Sequence, residues 1–316
     1  MNSERVRIVR RAVHGVLLLD KPAGMSSNDA LQKAKRLYRA EKAGHTGTLD
    51  PLATGLLPLC FGAATKFSQA SLDADKAYRA TLALGRTTST GDAEGGIVRE
   101  RSVEVTAGQI DAVCRRFVGE QMQVPPMHSA LKVGGRALYR LAREGREVEL
   151  VPRAIRIDAI EVGEWQAERL VIDVRCSKGS YIRTLGEDIG EALGCGAHLA
   201  ALRRTASGAL RVEDACSLDA LAALDEAGRD ALLLPADALL ADAPLLRLGA
   251  DDAGRFLAGV RRRIDAADAQ RVRVYGPERG AFLGSARIAR GELIAERLLS
   301  PLEAGAVARG RTAAAA

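Results

Sequence analysis

The sequence predicts an α+β fold, in which a mixed or antiparallel sheet with helices is followed by a smaller β module. Three observations carry this. Tyr78, Ala80, Leu82 and Leu84 alternate with Arg79, Thr81 and Ala83, and Leu170, Ile172, Val174 and Cys176 alternate with Val171, Asp173 and Arg175, the period-two pattern of half-buried strands. Ser26 with Asp29, and Thr106 with Gln109, have the spacing of capping boxes, and each pair precedes apolar residues at helical intervals. From about Ala241 the chain breaks into short strand-like pieces between Gly and polar turns, as in RVRVYGPERGAFLGSARIARGELIAERLL.

Taken in order, Gly15 to Pro22 (GVLLLDKP) reads as a buried strand that Pro22 stops. The helix opened by Ser26 places Ala30, Leu31, Ala34, Leu37 and Tyr38 on one face. The strand from Tyr78 and the helix carrying Ile110, Val113, Cys114 and Phe117 come next. Residues 123–152 differ in character, with prolines at both ends, a Gly134-Gly135 break and a short basic helix, and read as a surface insertion. The strand ending at Cys176 turns at SKGS into the helix YIRTLGEDIGEAL, which Gly194 stops, and that strand-to-helix corner could present a catalytic side chain. A length of 316 fits two domains, 1–240 and 241–316, and the tail AGAVARGRTAAAA is of low complexity and reads as frayed.

Composition narrows the function. Hydrophobic residues make up 47% of the chain, yet no run approaches the roughly 18 consecutive apolar residues of a membrane-spanning helix. The start, MNSERVRIVRRAV, meets Asp20 and Lys21 after a short apolar run with no small-residue cleavage site, so an uncleaved, cytoplasmic protein is expected. The five cysteines are scattered, without a CxxC pair or a histidine at zinc spacing, and are expected to be reduced thiols rather than metal ligands. A net charge of +6, with arginines in pairs such as Arg203 and Arg204, suits a polyanionic partner, although an Arg-rich solvated surface explains the same excess.

The segment GHTGTLDPLATG, Gly44 to Gly55, is too rich in Gly, Thr and Pro for a helix or a central strand, and reads as a structured loop between ordered segments. No GK[ST] closes it as a phosphate loop, and His45 with Asp50 lacks a third ligand at metal spacing. Pro51 restricts Asp50 to extended or turn geometry, which would present its carboxylate from a fixed point. Asp before Pro is equally an ordinary turn.

GVLLLDKPAGMSSNDAL, AGHTGTLDPLATGLLPLCFGAATKF, KAYRATLALGRTTSTGDAEG and CSKGSYIRTLGEDIGEALGCGAHLAALRRTASG, in this order, resemble the TruB family of tRNA pseudouridine synthases from Gly15 to about Ser217. The C-terminal piece resembles, more weakly, that family's small β-barrel PUA domain. The resemblance implies an isomerase that flips the T-loop uridine, position 55 of tRNA, out of its stack and converts it to pseudouridine without cofactor or metal. It implies Asp50 as nucleophile, ionised at neutral pH if its pKa is the ordinary one of about 3.9. Arg183 then pairs with that carboxylate, and Tyr181 takes the C5 proton. Tyr78 stacks on the flipped base, Leu202 packs against it, His45 fills the space it leaves in the RNA, and Lys21 lines the same site. Residues 123–152 correspond to a thumb-like insertion over the T-arm. Without the resemblance, Arg183 reads as a surface residue, Tyr78 and Tyr181 as packed aromatics, His45 as a turn residue and Lys21 as structural. Attack at C1′ and addition at C6 both remain open. A monomer needing no protein partner is expected, with tRNA as the partner molecule. Two rival readings stand beside it: a non-catalytic RNA-binding protein, and a metal hydrolase using Asp50 and His45.

Overall fold

The structure, a computed structural model, describes residues 9–129, 131–146, 148–278 and 280–314. Its first strand, β1 (Gly15–Lys21), is buried along nearly its whole length, which is why it reads as a continuous apolar run rather than an alternation. The helix α1 (Ser27–Leu37) starts where Ser26 Oγ accepts a hydrogen bond from the Asp29 amide at 3.1 Å, and it buries Ala30, Leu31 and Ala34 against Leu17, Leu57 and Leu59. Next come β2 (Ala43–His45), β3 (Thr54–Phe61) and β4 (Lys76–Leu84). Both ends of the segment expected to be a loop, Gly44 to Gly55, therefore lie in strands: β2 pairs with β3 at Gly44, β1 pairs with β3 as far as Gly55, and Thr54 pairs with Arg203 on the other side.

The helix α2 (Ala107–Arg116) has the reciprocal cap that its sequence predicts: the Gln109 amide donates to Thr106 Oγ1 at 3.3 Å, and the Thr106 amide donates to Gln109 Oε1 at 2.8 Å. It leads into β5 (Gly119–Gln123). The expected insertion then follows as a short hairpin, Lys132–Val133 with Arg136–Ala137, and one helical segment, Leu138–Arg143. Beyond it run β6 (Arg153–Gln166), β7 (Arg169–Cys176), α3 (Ile182–Ala192) and β8 (Ala197–Ser207).

These strands build a ten-stranded mixed sheet in the order Cys216–Ser217, β1, β3, β8, β4, β7, β6, β5, with β2 added on β3 and Leu210–Arg211 on β8. β3 and β8 run parallel, and every pairing from β8 through β4, β7 and β6 to β5 is antiparallel. The helix α3 lies so close to the start of β8 that a Cβ on Gly190 would stand 2.2 Å from the Ala197 nitrogen. That approach fixes the helix, and the side chains at its N-terminus, against the middle of the sheet.

The C-terminal part contains β9 (Leu245–Arg247), α4 (Ala250–Leu257), β10 (Arg262–Arg263), β11 (Ala269–Tyr275), β12 (Phe282–Ala289) and β13 (Glu292–Leu298), and its five strands form one sheet in the order β9, β11, β12, β13, β10. The run read as a frayed tail is helical as far as Ala314, in α5 (Pro301–Ala314); Ala304 and Val307 are buried, and residues 315 and 316 lie outside the described residues. One hydrophobic cluster crosses from sheet to sheet, with Val16, Leu18, Leu56, Cys60 and Phe67 packed with Phe256, Val274, Tyr275 and Phe282. Among the described residues no helix is long and apolar enough to cross a membrane.

Candidate active site

The carboxylate of Asp50 stands on a loop held from several sides. Ser27 at the start of α1 grips Leu49 twice, accepting from its amide at 2.7 Å and donating to its carbonyl at 2.9 Å. The Gly24 amide donates to the Pro51 carbonyl at 2.9 Å, and the Ala53 amide closes a turn on the Asp50 carbonyl at 3.1 Å. Below them the Lys21 ammonium, with no exposed surface, donates to the carbonyls of Pro22 at 2.9 Å, Met25 at 2.7 Å and Pro51 at 3.4 Å. Burial, offset in part by Asp50, brings its pKa down to about 8. Gly47 (φ +74) lies against Arg204, whose guanidinium donates to the Gly47 carbonyl at 3.0 Å and to the Leu56 carbonyl at 2.7 Å. A side chain on Gly47 would crowd Arg204 Nη1 at 3.1 Å, so the bare backbone is what lets the loop settle there. These bonds hold the loop in one geometry and so preorganise the carboxylate it carries.

Arg183, in the first turn of α3, reaches this carboxylate from the other side. Its Nη2 lies 3.0 Å from Asp50 Oδ2, and its Nη1 lies 3.5 Å from Oδ2 of Asp92, so one buried guanidinium serves two carboxylates. Nη2 also donates to the His128 carbonyl at 2.6 Å and Nη1 to the Thr90 carbonyl at 3.2 Å. The Asp50 side chain is 40% exposed, yet enough protein surrounds it for desolvation to be the largest influence on its charge. Burial raises its pKa above the ordinary carboxylate value; Arg183 draws it back, and Asp92 pushes it up again.

Asp50 lines a cleft of about 250 Å³, together with Tyr78, Tyr181, Arg183 and Leu202. The register of β8 against β4 places Leu202 opposite Ala80 and Arg204 opposite Tyr78, so the strand pairing brings the apolar contact and the ring to one wall. Burial raises the pKa of both phenols; Arg204 is the main opposing influence at Tyr78, and the Ser129 hydroxyl at Tyr181. Both are therefore neutral at ordinary pH. Lys21 braces the loop from beneath rather than lining the cleft, and His45 does not line it either. His45 sits in β2 opposite Leu59, with Nδ1 buried and unpartnered among the described residues, and burial followed by Arg204 lowers its pKa.

Sequence reasoning assigned no role to Asp92 or Arg204. Asp92 carried a local signal, since its Oδ1 accepts from Thr90 Oγ1 at 2.6 Å and from the Glu94 amide at 3.1 Å, the short-range turn that the order Thr, Gly, Asp permits. Its proximity to Arg183 appears only in three dimensions. Asp92→Asn removes the like charge that lifts Asp50, so the Asp50 pKa is expected to fall. If turnover needs ionised Asp50, the acid limb of the single-turnover pH–rate profile moves to lower pH, and a limb that stayed in place would show that Asp92 does not act on the carboxylate through charge.

The arrangement is an ion pair between a buried arginine and a half-buried aspartate in a cleft walled by two phenols and an apolar side chain, on a mixed sheet with helices. The fold is the pseudouridine synthase fold. It aligns with a chain of a Cbf5-Nop10-Gar1 complex at a TM-score of 0.69 and 26% identity, over 92% of this chain and 87% of that one. It aligns as well with a chain of an archaeal box H/ACA sRNP Nop10-Cbf5 complex, again at 0.69, with 24% identity over 93% and 88%. Residues 35–182 match the TruB family pseudouridylate synthase N-terminal domain, and residues 183–241 match the tRNA pseudouridylate synthase B C-terminal domain. The chain is 57% identical over 306 residues to the tRNA pseudouridine synthase B of Ralstonia nicotianae, covering 94% of this chain and 98% of that protein. With that of Burkholderia lata it shares 56% over 303 residues, covering 94% of each. The chain belongs to the TruB family of pseudouridine synthases, and it is an isomerase.

Proposed function

We propose that this protein converts the T-loop uridine of tRNA to pseudouridine, flipping the base into the Asp50 cleft and using the carboxylate as nucleophile. The observation that carries the reading is the Asp50–Arg183 pair at 3.0 Å beneath Tyr78, Tyr181 and Leu202. In this reaction the C1′–N1 bond breaks with its electron pair leaving on N1. Asp50 supplies the pair that holds the nucleotide on the enzyme, at C1′ or at C6 of the ring. Once the ring has turned, C5 bonds to C1′ and the carboxylate leaves; Tyr181, a neutral phenol, gives its own proton to the ring as it takes the one from C5, so that N1 ends with the hydrogen that C5 loses. Nothing in this sequence of bonds calls for an oxidant, a metal or an energy source. Arg183 orients the carboxylate and opposes its protonation, while Tyr78 and Leu202 replace part of the stacking that the flipped base gives up.

The partner is the T-arm. A net charge of +6 favours the RNA backbone, the basic insertion at 123–152 lies beside the cleft through His128 and Ser129, and the sheet of residues 241–316 serves as a PUA-like RNA-binding module. Lys21 acts here as a brace. His45 reaches RNA only if its strand end turns outward on binding. The protein acts as a cytoplasmic monomer. The metal-hydrolase alternative loses support because Asp50 and His45 do not share the cleft. Pseudouridine mapping in tRNA from cells with and without this chain, and tritium release from C5-labelled tRNA by the purified protein, test the reading. Loss of the T-loop modification with the gene, and release in vitro, are expected; binding without release would leave the non-catalytic RNA-binding reading.

A further inference from the structure

The insertion begins at Gln123, the last residue of the edge strand β5, and the residue is only 4% exposed. It faces the backbone of Tyr181. The Tyr181 amide donates to Gln123 Oε1 at 2.8 Å, and Gln123 Nε2 donates to the Tyr181 carbonyl at 3.1 Å. Only one orientation of the amide satisfies both bonds, because the flipped one would set donor against donor and acceptor against acceptor. Tyr181 is the N-cap of α3 and makes no side-chain capping bond of its own, and Gln123 supplies from outside the bond to the N-cap amide that a Glu or Gln at the third helical position supplies in a capping box. Two residues on, Arg183 leaves the same helix turn and meets Asp50, and its Nη2 also holds the His128 carbonyl, five residues from Gln123 along the chain. The root of the insertion therefore touches both the backbone of Tyr181 and the guanidinium of Arg183.

We propose that Gln123 is a positioning residue for the isomerisation: by gripping both backbone groups of Tyr181 it aims the phenol into the cleft and sets the helix turn from which Arg183 reaches Asp50. The inference rests on the proposed function and adds to it a residue that touches neither substrate nor carboxylate. A hydrophobic side chain of the same length would fill the space equally well, and what it would lose is the direction of the two bonds. Misplacement of a reacting group by about 1 Å is enough to cost on the order of 10²-fold in rate.

The test compares wild type, Gln123→Met and Gln123→Glu by single-turnover tritium release from C5-labelled tRNA, filter binding to the same tRNA, and thermal melts. For Gln123→Met the rate per folded molecule is expected to fall on the order of 10²-fold, with tRNA affinity within about twofold of wild type. Glutamate adds a chemical rescue. Its neutral acid can accept from the Tyr181 amide and donate to the Tyr181 carbonyl, as glutamine does, whereas its ionised form cannot donate. The titratable and charged groups around it are Tyr181 and Arg183 from α3 and Arg153, its pairing partner in β6. The ratio of Gln123→Glu to Gln123→Met rates is expected to rise as pH falls, which cancels the titration of Asp50 common to both. Should Gln123→Met not fold, the ratio of Gln123→Glu to wild type carries the same test. A Gln123→Met rate per folded molecule equal to wild type, or a ratio independent of pH, overturns the proposal. A wild-type protein that releases no tritium would instead overturn the functional reading itself.

Discussion

Asp50→Asn is expected to abolish turnover while leaving tRNA binding and the fold intact. Asparagine keeps the size of the side chain but offers an amide in place of a nucleophilic carboxylate, and no second carboxylate in the cleft faces the substrate, since Asp92 is buried behind Arg183. Activity should therefore drop below detection, beyond the roughly 10²- to 10⁴-fold that loss of a positioned acid or base costs. Stability should move the other way from that of a structural aspartate. The pKa of Asp50 is raised in the folded protein, so its charged form disfavours folding; that cost is present at neutral pH and disappears as pH falls below the ordinary carboxylate value. Arg183 keeps Asp92 as a partner in the variant. The melting temperature at neutral pH is thus expected to be unchanged or higher, with the difference from wild type shrinking in acid. Tritium release, filter binding and melts on one preparation decide the matter. Measurable release would remove Asp50 as nucleophile, and a lower melting temperature at neutral pH would mark it as a turn-forming residue.

Elements whose apolar spacing is unambiguous could be read from the sequence alone. α1 and α2 announced themselves by their caps, β4 and β7 by alternation, and α3 by its corner and the stop at Gly194. β8 could not be read, because AHLAALRRTAS consists largely of residues that suit a helix, and only its place between β3 and β4 makes it a strand. The same ambiguity hid Arg204. Two arginines stand side by side, but strand geometry sends Arg203 to a surface pair with Asp20 at 2.7 Å and Arg204 inward to the Gly47 and Leu56 carbonyls. Of the candidate residues, Asp50, Tyr78, Tyr181, Arg183 and Leu202 meet around one cleft. Those positions became legible through the family's motifs, since a lone Asp-Pro or a helical Arg carries no chemistry in its spacing. Asp92 and Gln123 act on the cleft across 91 and 58 residues of chain, distances over which a single sequence holds no signal.

Phe282→Ala is expected to destabilise the catalytic sheet as much as the C-terminal one. Residues 241–316 differ in pattern from what precedes them, and a module of short strands with its own core would melt by itself. The packing indicates otherwise. Phe282 has no exposed surface, and its ring centroid lies 5.1 Å from that of Phe67, which belongs to the segment following β3, and 5.5 Å from that of Tyr275 in β11. Val16 and Leu18 of β1 and Leu56 of β3 in the large sheet lie in the same cluster as Val274 and Phe256, and Lys66 ties Glu303 of α5 to the core at 2.6 Å. Removing the ring leaves a cavity between the two sheets, and truncations of this kind cost about 3–5 kcal/mol. In a cooperative unit of this size that corresponds to a fall in melting temperature of roughly 5–8 °C. The single tryptophan makes the test sharp, because Trp165 lies in β6 of the large sheet, whereas the mutation is in β12. If the sheets share one core, the Trp165 fluorescence transition shifts down with the circular dichroism transition and by the same amount. An unshifted Trp165 transition beside an early loss of β signal would show that residues 241–316 fold as a separate domain. With a shared core, deletion from Ala241 onward would expose Val16, Leu18, Leu56 and Phe67 to water, and the truncated chain is expected to be recovered without a cooperative melt rather than as an active enzyme of lower affinity.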